Sequence, residues 1–364
     1  MKLSYTNKPK VMLTFRIGGE NGGPYVSHRR IAESKLKECY EFIPLMVPVP
    51  KHILTPKGMA QLVGEIKKAQ PDILHFAGLQ MEGFAVLLAA KLARVPKTIC
   101  AIHGSSLDAI GFTGYKRFLM EKLENWTLKN ATACYGVSSF VAAWPRVKQY
   151  AKNCMGYVYN LSQTPKEIQK SSESVRQKFG IGENEIVVIS TGRIVLDKGY
   201  DILQKVITSE ESWDNVRFLI VGDGTYRETM EAAISNSDVK KHVIFTGYRN
   251  DVANILEESD IFVICTRHET FCNSVVEASR AALPVVATGT GGICEIVEDG
   301  MTGFLVPPED DKTVTEKLKL LIDRPELRQK MGRRGQQRVN EIFSEDAITK
   351  KLHSFYQLLL SQNE

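Results

Sequence analysis

Short apolar runs, each nearly continuous in Val, Ile and Leu, alternate along this chain with longer stretches whose apolar residues recur at helical spacing. That alternation restricts the fold more than any other feature. The runs at 11–15, 72–76, 98–102, 133–137, 186–191, 216–221, 242–245, 261–265 and 284–288 read as strands buried on both faces, the habit of parallel sheets. Helical patterns at 27–38, 57–69, 84–93, 115–129, 200–207, 226–235, 273–281 and 311–322 lie between them. Strand–helix alternation of this length implies right-handed βαβ crossovers and doubly wound α/β sheets. With 364 residues there is material for two such domains.

The boundary is expected between Leu161 and Asn184, where a polar segment breaks the strand rhythm. It gives an N-terminal Rossmann-like domain over 1–165 and a C-terminal one over 183–344, with 345–364 as an amphipathic helix carrying Ile348, Leu352, Phe355, Tyr356 and Leu359 on one side. The sign of charge changes at the same place. Residues 1–165 hold 22 Lys and Arg against 10 Asp and Glu, whereas the remainder is acidic. A basic half suits an anionic surface or substrate, or is simply a solvated face. The stretch Tyr115-Lys116-Arg117-Phe118-Leu119-Met120-Glu121-Lys122 sets cations beside aromatics in the pattern of an interfacial helix, with Lys116, Arg117 and Lys122 as the candidate membrane or acceptor surface. The other reading has its aromatics turned into the domain core. The seven cysteines are scattered, without a CxxC spacing, which fits a reducing compartment and neither a zinc site nor a disulfide framework. No apolar stretch approaches the ~20 residues needed to span a bilayer. The expected location is the cytoplasm, with room for attachment at the inner face of the membrane.

In open α/β sheets, ligands bind at the carboxyl ends of strands. After the run 186–191 comes Gly192-Arg193-Ile194-Val195-Leu196-Asp197-Lys198-Gly199, two cations on a glycine-bracketed loop that opens a helix. Arg193 can fork onto phosphate oxygens and Lys198 can supply a point charge; alternatively both are solvated on a surface loop. After the run 261–265 comes Thr266-Arg267-His268-Glu269-Thr270-Phe271-Cys272-Asn273-Ser274-Val275-Val276-Glu277. Glu269 and Glu277 are spaced to touch two parts of one extended ligand. The helix start near Phe271–Ser274 offers N–H groups and a positive dipole end. Further on stand Pro284-Val285-Val286-Ala287-Thr288, Gly291-Gly292, Glu295-Ile296-Val297 and Thr302-Gly303-Phe304-Leu305-Val306.

These runs resemble the retaining glycosyltransferases of family 4, which have the GT-B fold. The family's E-x7-E element matches Glu269 and Glu277, and its G-R-x5-K-G element matches Gly192–Gly199. Val221-Gly222-Asp223-Gly224 and Phe245-Thr246-Gly247-Tyr248 match as well. The likeness is close over 186–310 and weaker in the first half. It implies two Rossmann-like domains facing across a cleft, with the C-terminal helix returning to the N-domain. It also implies a nucleotide-sugar donor held by the C-terminal domain. Arg193 and Lys198 would neutralise the departing diphosphate, Glu269 would bond the sugar hydroxyls and Glu277 the ribose. Thr246, Tyr248 and Arg249 would border the base, near Gly222. Phe271, Cys272, Asn273 and Ser274 would meet the donor at the helix start. Gly22 and Gly23 would form the N-domain glycine loop. His103, after the run 98–102, stands where the family has its active-site histidine. Where the family commonly has glycine, this chain has Thr270, Cys272 and Ala282.

The implied reaction moves the sugar, favoured as a UDP-sugar, to a hydroxyl of a glycan or polyprenyl-diphosphate-linked acceptor with retention. No Asp-x-Asp motif is present, so the expectation is no metal and no cofactor. Two rival readings share these features: a nucleotide-sugar epimerase or hydrolase of the same fold, and a non-catalytic nucleotide-sugar-binding subunit. A dinucleotide dehydrogenase is not expected, because Gly18-Gly19-Glu20-Asn21-Gly22-Gly23 is out of register with G-x-G-x-x-G. A nucleic-acid partner is not expected, since no recognisable module accompanies the basic half.

Overall fold

The computed structural model describes residues 8–19, 22–108, 114–162, 174–209 and 213–362. The basic start of the chain, Glu20 and Asn21 of the glycine run, and most of the polar segment after Leu161 lie outside the described residues. The chain divides into two compact units, the first running to Leu161 and resuming at Ser344, the second spanning Ser162–Phe343.

The first unit is built on β1 (Lys10–Arg16), β2 (Glu41–Val47), β3 (Ile73–Ala77), β4 (Lys97–Ile102), β5 (Ala133–Gly136) and β6 (Cys154–Tyr157). They form one parallel sheet in the order β2-β1-β3-β4-β5-β6. The central strands bury nearly every residue, because crossover helices cover both faces. The final helix, Glu345–Ser361, starts from Ser344, whose hydroxyl accepts the Ala347 N–H, and its Ile348, Leu352, Phe355, Tyr356 and Leu359 join the core of this unit.

The second unit repeats the plan with β7 (Ile186–Thr191), β8 (Val216–Val221), β9 (Val243–Gly247), β10 (Ile261–Ile264), β11 (Val285–Thr288) and β12 (Gly303–Val306). The parallel order is β12-β11-β10-β7-β8-β9. The order reverses between β7 and β10, which makes their carboxyl ends the natural crevice for a ligand.

Three strands escape the apolar-run reading: β2, β6 and β12. Each pairs on one side alone, and β2 carries Pro44, whose missing N–H an edge strand tolerates. The longest unexpected element is the helix Pro325–Ile342, strongly polar and with two glycines among its buried positions. It packs through Gly332, where an added Cβ would lie 1.8 Å from the Ala282 carbonyl oxygen. A helix that approaches by the absence of side chains leaves no apolar stripe. Among the described residues, no helix is long and apolar enough to cross a membrane.

Candidate functional site

The chain after β7 turns sharply where it passes the end of β10. It runs from Gly192 through a 3-10 turn, Leu196–Lys198, into Gly199, whose φ of 67° is left-handed, and the helix Tyr200–Thr208 follows. A Cβ on Gly199 would sit 1.8 Å from the Cys265 carbonyl oxygen, so this position admits glycine alone. The tight approach delivers Lys198 to Glu269: the ammonium ion-pairs Oε1 of the carboxylate, with both side chains largely shielded. Arg193, five residues earlier, points to solvent and has no ion-pair partner among the described residues. Gly222, at the end of β8, closes the wall of the crevice, since a Cβ there would lie 1.9 Å from the Gly192 carbonyl oxygen.

Arg267 has no role in the sequence reading, yet it locks the two loops together. Its guanidinium donates twice to the Asp201 carboxylate, at 2.6 and 2.7 Å, and pairs with Glu309 at 2.6 Å. Its backbone N–H donates to the Asp197 carbonyl at 3.0 Å, and the Thr266 hydroxyl donates to the same oxygen at 3.2 Å. Partial burial pushes the Asp201 carboxyl up, but the paired guanidinium outweighs it and leaves the acid below its ordinary range. The signal available in the sequence was a cation immediately after a buried strand.

Past Glu269, Phe271 packs on Phe343 with ring centroids 5.6 Å apart, and the helix Asn273–Arg280 begins. Cys272 caps it at φ 83°, a glycine-type conformation that costs a side-chain-bearing residue ~1–3 kcal/mol. Its thiol lies 3.3 Å from the Ser274 hydroxyl and is pushed up to about 12, by burial first and by the Glu269 charge second. Ala282, at φ 59°, is a second such site at the far end of this helix. Two of the three departures from the family's glycines, Cys272 and Ala282, therefore hold glycine-type backbone, and Thr270 does not. Asn273 buries its side-chain carbonyl oxygen without a hydrogen bond among the described residues, at the helix start. Glu277 lies one turn further along, half-buried.

At the end of β9, Thr246 donates its hydroxyl to the Gly247 carbonyl at 3.0 Å, and Tyr248 is 58% exposed. Arg249 is engaged by Asp251, whose carboxylate holds the guanidinium pKa up, and it lies over the Phe179 ring. The Gly222 N–H donates to the Gly247 carbonyl at 3.0 Å, which joins the β8 and β9 ends.

In the first unit, His103 follows β4, and burial first, then the neighbouring His28, pushes its pKa down to about 3. It is a neutral imidazole. Gly22 and Gly23 start the helix Gly23–Glu33 after β1. Lys116, Arg117 and Lys122 lie exposed on the helix Gly114–Asn130. Its aromatics divide between the two readings left open by the sequence. Trp126 packs inward on Phe84, while Tyr115 and Phe118 stand 76% and 55% exposed among the cations. Among the described residues, no group of three or more His, Cys, Asp or Glu side chains is arranged to hold a metal ion.

Comparison with known proteins agrees with this geometry. Residues 171–338 match the family model of glycosyl transferases group 1, and residues 26–138 match that of glycosyl transferase 4-like proteins. The capsular polysaccharide biosynthesis glycosyltransferase CapM of Staphylococcus aureus is 27% identical over 91% of this chain and 89% of its own. HepE of Anabaena, solved with UDP and glucose, superposes with a TM-score of 0.76 at 19% identity, covering 96% of this chain and 99% of HepE. Sucrose-phosphate synthase of Thermosynechococcus elongatus gives a TM-score of 0.83 at 17% identity over 98% of this chain and 100% of its own. The fold is GT-B.

Proposed function

This chain belongs to the glycosyl transferases of group 1, and from that premise we propose a retaining, metal-independent reaction. A sugar passes from a UDP-sugar to a hydroxyl of a glycan or polyprenyl-diphosphate-linked acceptor, in surface polysaccharide or glycoconjugate synthesis. The observation that carries the reading is the Lys198–Glu269 pair at the β7/β10 switch point, beside exposed Arg193. One cation sits against a carboxylate suited to sugar hydroxyls, and a second faces solvent where a diphosphate can reach it. That pairing supports cations standing in for a divalent ion.

The acceptor oxygen bonds to the anomeric carbon on the face from which the donor phosphate oxygen leaves. The acceptor proton passes to that phosphate oxygen. Arg193, Lys198 and the start of the helix Asn273–Arg280 stabilise the diphosphate charge as it develops. Tyr248 offers a face on which the base can stack, and Glu277 bonds the ribose. Burial keeps His103 neutral. The UDP in the HepE structure and the capsular role in the name of CapM favour the donor and the pathway class. Product analysis with and without acceptor is the test. Glycoside formed only with acceptor supports the reading. UDP-sugar converted without acceptor favours the hydrolase or epimerase, and no conversion favours the non-catalytic subunit.

The helix Gly114–Asn130 docks the enzyme on the inner face of an anionic membrane, which brings it to a lipid-linked acceptor. The support is exposed Tyr115, Phe118 and Leu119 interleaved with Lys116, Arg117 and Lys122. Each cation contributes about 1 kcal/mol near an acidic surface. Co-sedimentation should require acidic vesicles, fall with salt and weaken when Lys116, Arg117 and Lys122 become Glu. Equal partitioning on neutral vesicles would instead favour a soluble acceptor.

A further inference from the structure

The helix Gly114–Asn130 carries a carboxylate that its exposed face does not explain. Glu124 is fully buried. Its Oε1 accepts the backbone N–H of Ser106 at 2.7 Å, and its Oε2 accepts the Ser105 hydroxyl at 2.7 Å. Arg146 Nη1 lies 2.7 Å from the same Oε2. The Ser105 oxygen in turn accepts the Leu107 N–H at 2.9 Å, and Arg117 donates to the Leu107 carbonyl at 2.9 Å. Three consecutive residues directly after His103 and Gly104 are thus bonded to a single helix. Removing a carboxylate from water costs several kcal/mol even in a paired site. A purely apolar contact would pack this helix as well, so what the carboxylate adds is direction: it accepts from one particular N–H and one particular hydroxyl.

We propose that Glu124 is a positioning residue for His103, fixing Ser105–Leu107 so that the end of β4 presents the imidazole in one orientation, and tying that segment to the membrane-docking helix. The inference rests on the reading of His103 as an active-site group. Replacing Glu124 alone would strand the Arg146 charge, so the comparison is made in an Arg146→Met background. Glu124→Gln with Arg146→Met keeps an oxygen for the Ser106 N–H and an amide N–H for the Ser105 oxygen. Glu124→Leu with Arg146→Met keeps neither.

The full-length variants are compared for UDP release from UDP-glucose in the presence of a polyprenyl-diphosphate-linked glycan acceptor and for amide exchange at Ser106 and Leu107, with His103→Ala alongside. The Leu form is expected to lose about 30-fold or more in kcat, with donor KM moving less than about threefold, since a small misplacement of a reacting group is enough for that. Its Ser106 amide should exchange about tenfold faster once its acceptor is gone. The Gln form should stay within about threefold of wild type in both readouts. Equal kcat and equal Ser106 exchange in the Leu and Gln forms, beside a slowed His103→Ala, would overturn the inference alone. A wild-type rate in His103→Ala would overturn the reading of His103, and the inference with it.

Discussion

Each unit has its own six-stranded parallel sheet, but the two are secured differently around their ligand-facing strands. In the second unit the loops are held by charge: Lys198 to Glu269, Arg267 to Asp201 and Glu309, and Arg249 to Asp251. In the first, one buried carboxylate, Glu124, holds the loop after β4, and residues within β1, β3 and β5 are joined by a buried neutral network. His28 bonds the Thr14 carbonyl at 2.9 Å, and His75 lies between the hydroxyls of Tyr356 at 2.7 Å and Tyr135 at 2.9 Å. One half ties its loops with ion pairs, which suits the anionic ligand proposed above. The other is built to stay rigid and uncharged at its centre. Ion pairs that reach solvent can exchange partners, whereas a buried histidine–tyrosine network has little freedom to rearrange.

The comparison can be broken most forcefully at Lys198. Lys198→Ala or Arg193→Ala should each cost about 2–4 kcal/mol of transition-state stabilisation, roughly 30- to 1000-fold in kcat/KM, with unfolding nearly unchanged. Near wild-type turnover in both would remove the charged half of the contrast. Within the same unit, Glu269→Ala should lower mainly kcat and Glu277→Gln mainly nucleotide affinity. Equal binding of UDP by wild type and Glu277→Gln would withdraw the ribose role.

Acid should separate the units next. Burial drives His28 down to about 4 and His103 to about 3, and holds His75 well below its ordinary value. The unfolded chain therefore binds more protons between pH 6.5 and 4. The first unit's stability is fully present above about pH 6.5 and falls as pH drops toward 4. At pH 5 the loss is expected to be about 2 kcal/mol per histidine. Asp251, held low chiefly by its bond from Arg249, works the other way, contributing stability above the ordinary carboxylate range and keeping it at pH 5. Amide exchange read separately in β3 and β8 should show the first unit opening earlier at pH 5 than at pH 7. Earlier opening of β8 would reverse the assignment.

The smallest expected effect concerns backbone strain. In the first unit, the left-handed Gln70 closes a helix, where such a residue is usual. In the second, Cys272 and Ala282 hold that conformation at the two ends of the helix behind Glu269. Ala282→Gly should raise stability by about 0.5–1 kcal/mol in thermal unfolding, the relief of φ strain exceeding the added chain entropy. A destabilised variant would show that the turn is not strained.

How much of this was legible in the sequence differs between the halves for the same physical reason. Lys198 and Glu269 each stand at a fixed spacing within their own strand–loop–helix unit, so each can be read in a line, although the pair they form joins two such units. The central strands were legible because both their faces are buried. Edge strands β2, β6 and β12 were not, nor was the glycine-packed helix Pro325–Ile342. Glu124 is illegible in principle. Its partners, Ser105, Ser106 and Arg146, lie about 20 residues to either side and meet it only through the fold. Arg267 marks the intermediate case, a charge in the right loop whose partners, Asp201 and Glu309, come from other elements.

The central claim is that the second unit's cations recognise a diphosphate while the first unit's neutral core does not, and calorimetric titration of UDP against uridine tests it most directly. Uridine reports the base and ribose contacts, and the extra affinity of UDP reports the two phosphates. In wild type that increment should be large and should shrink with added salt. It should collapse about 30-fold or more in Lys198→Ala and Arg193→Ala, the loss of a charge-assisted contact, and survive in His103→Ala. An increment that persists in both cation variants, or that disappears in His103→Ala instead, would contradict the account.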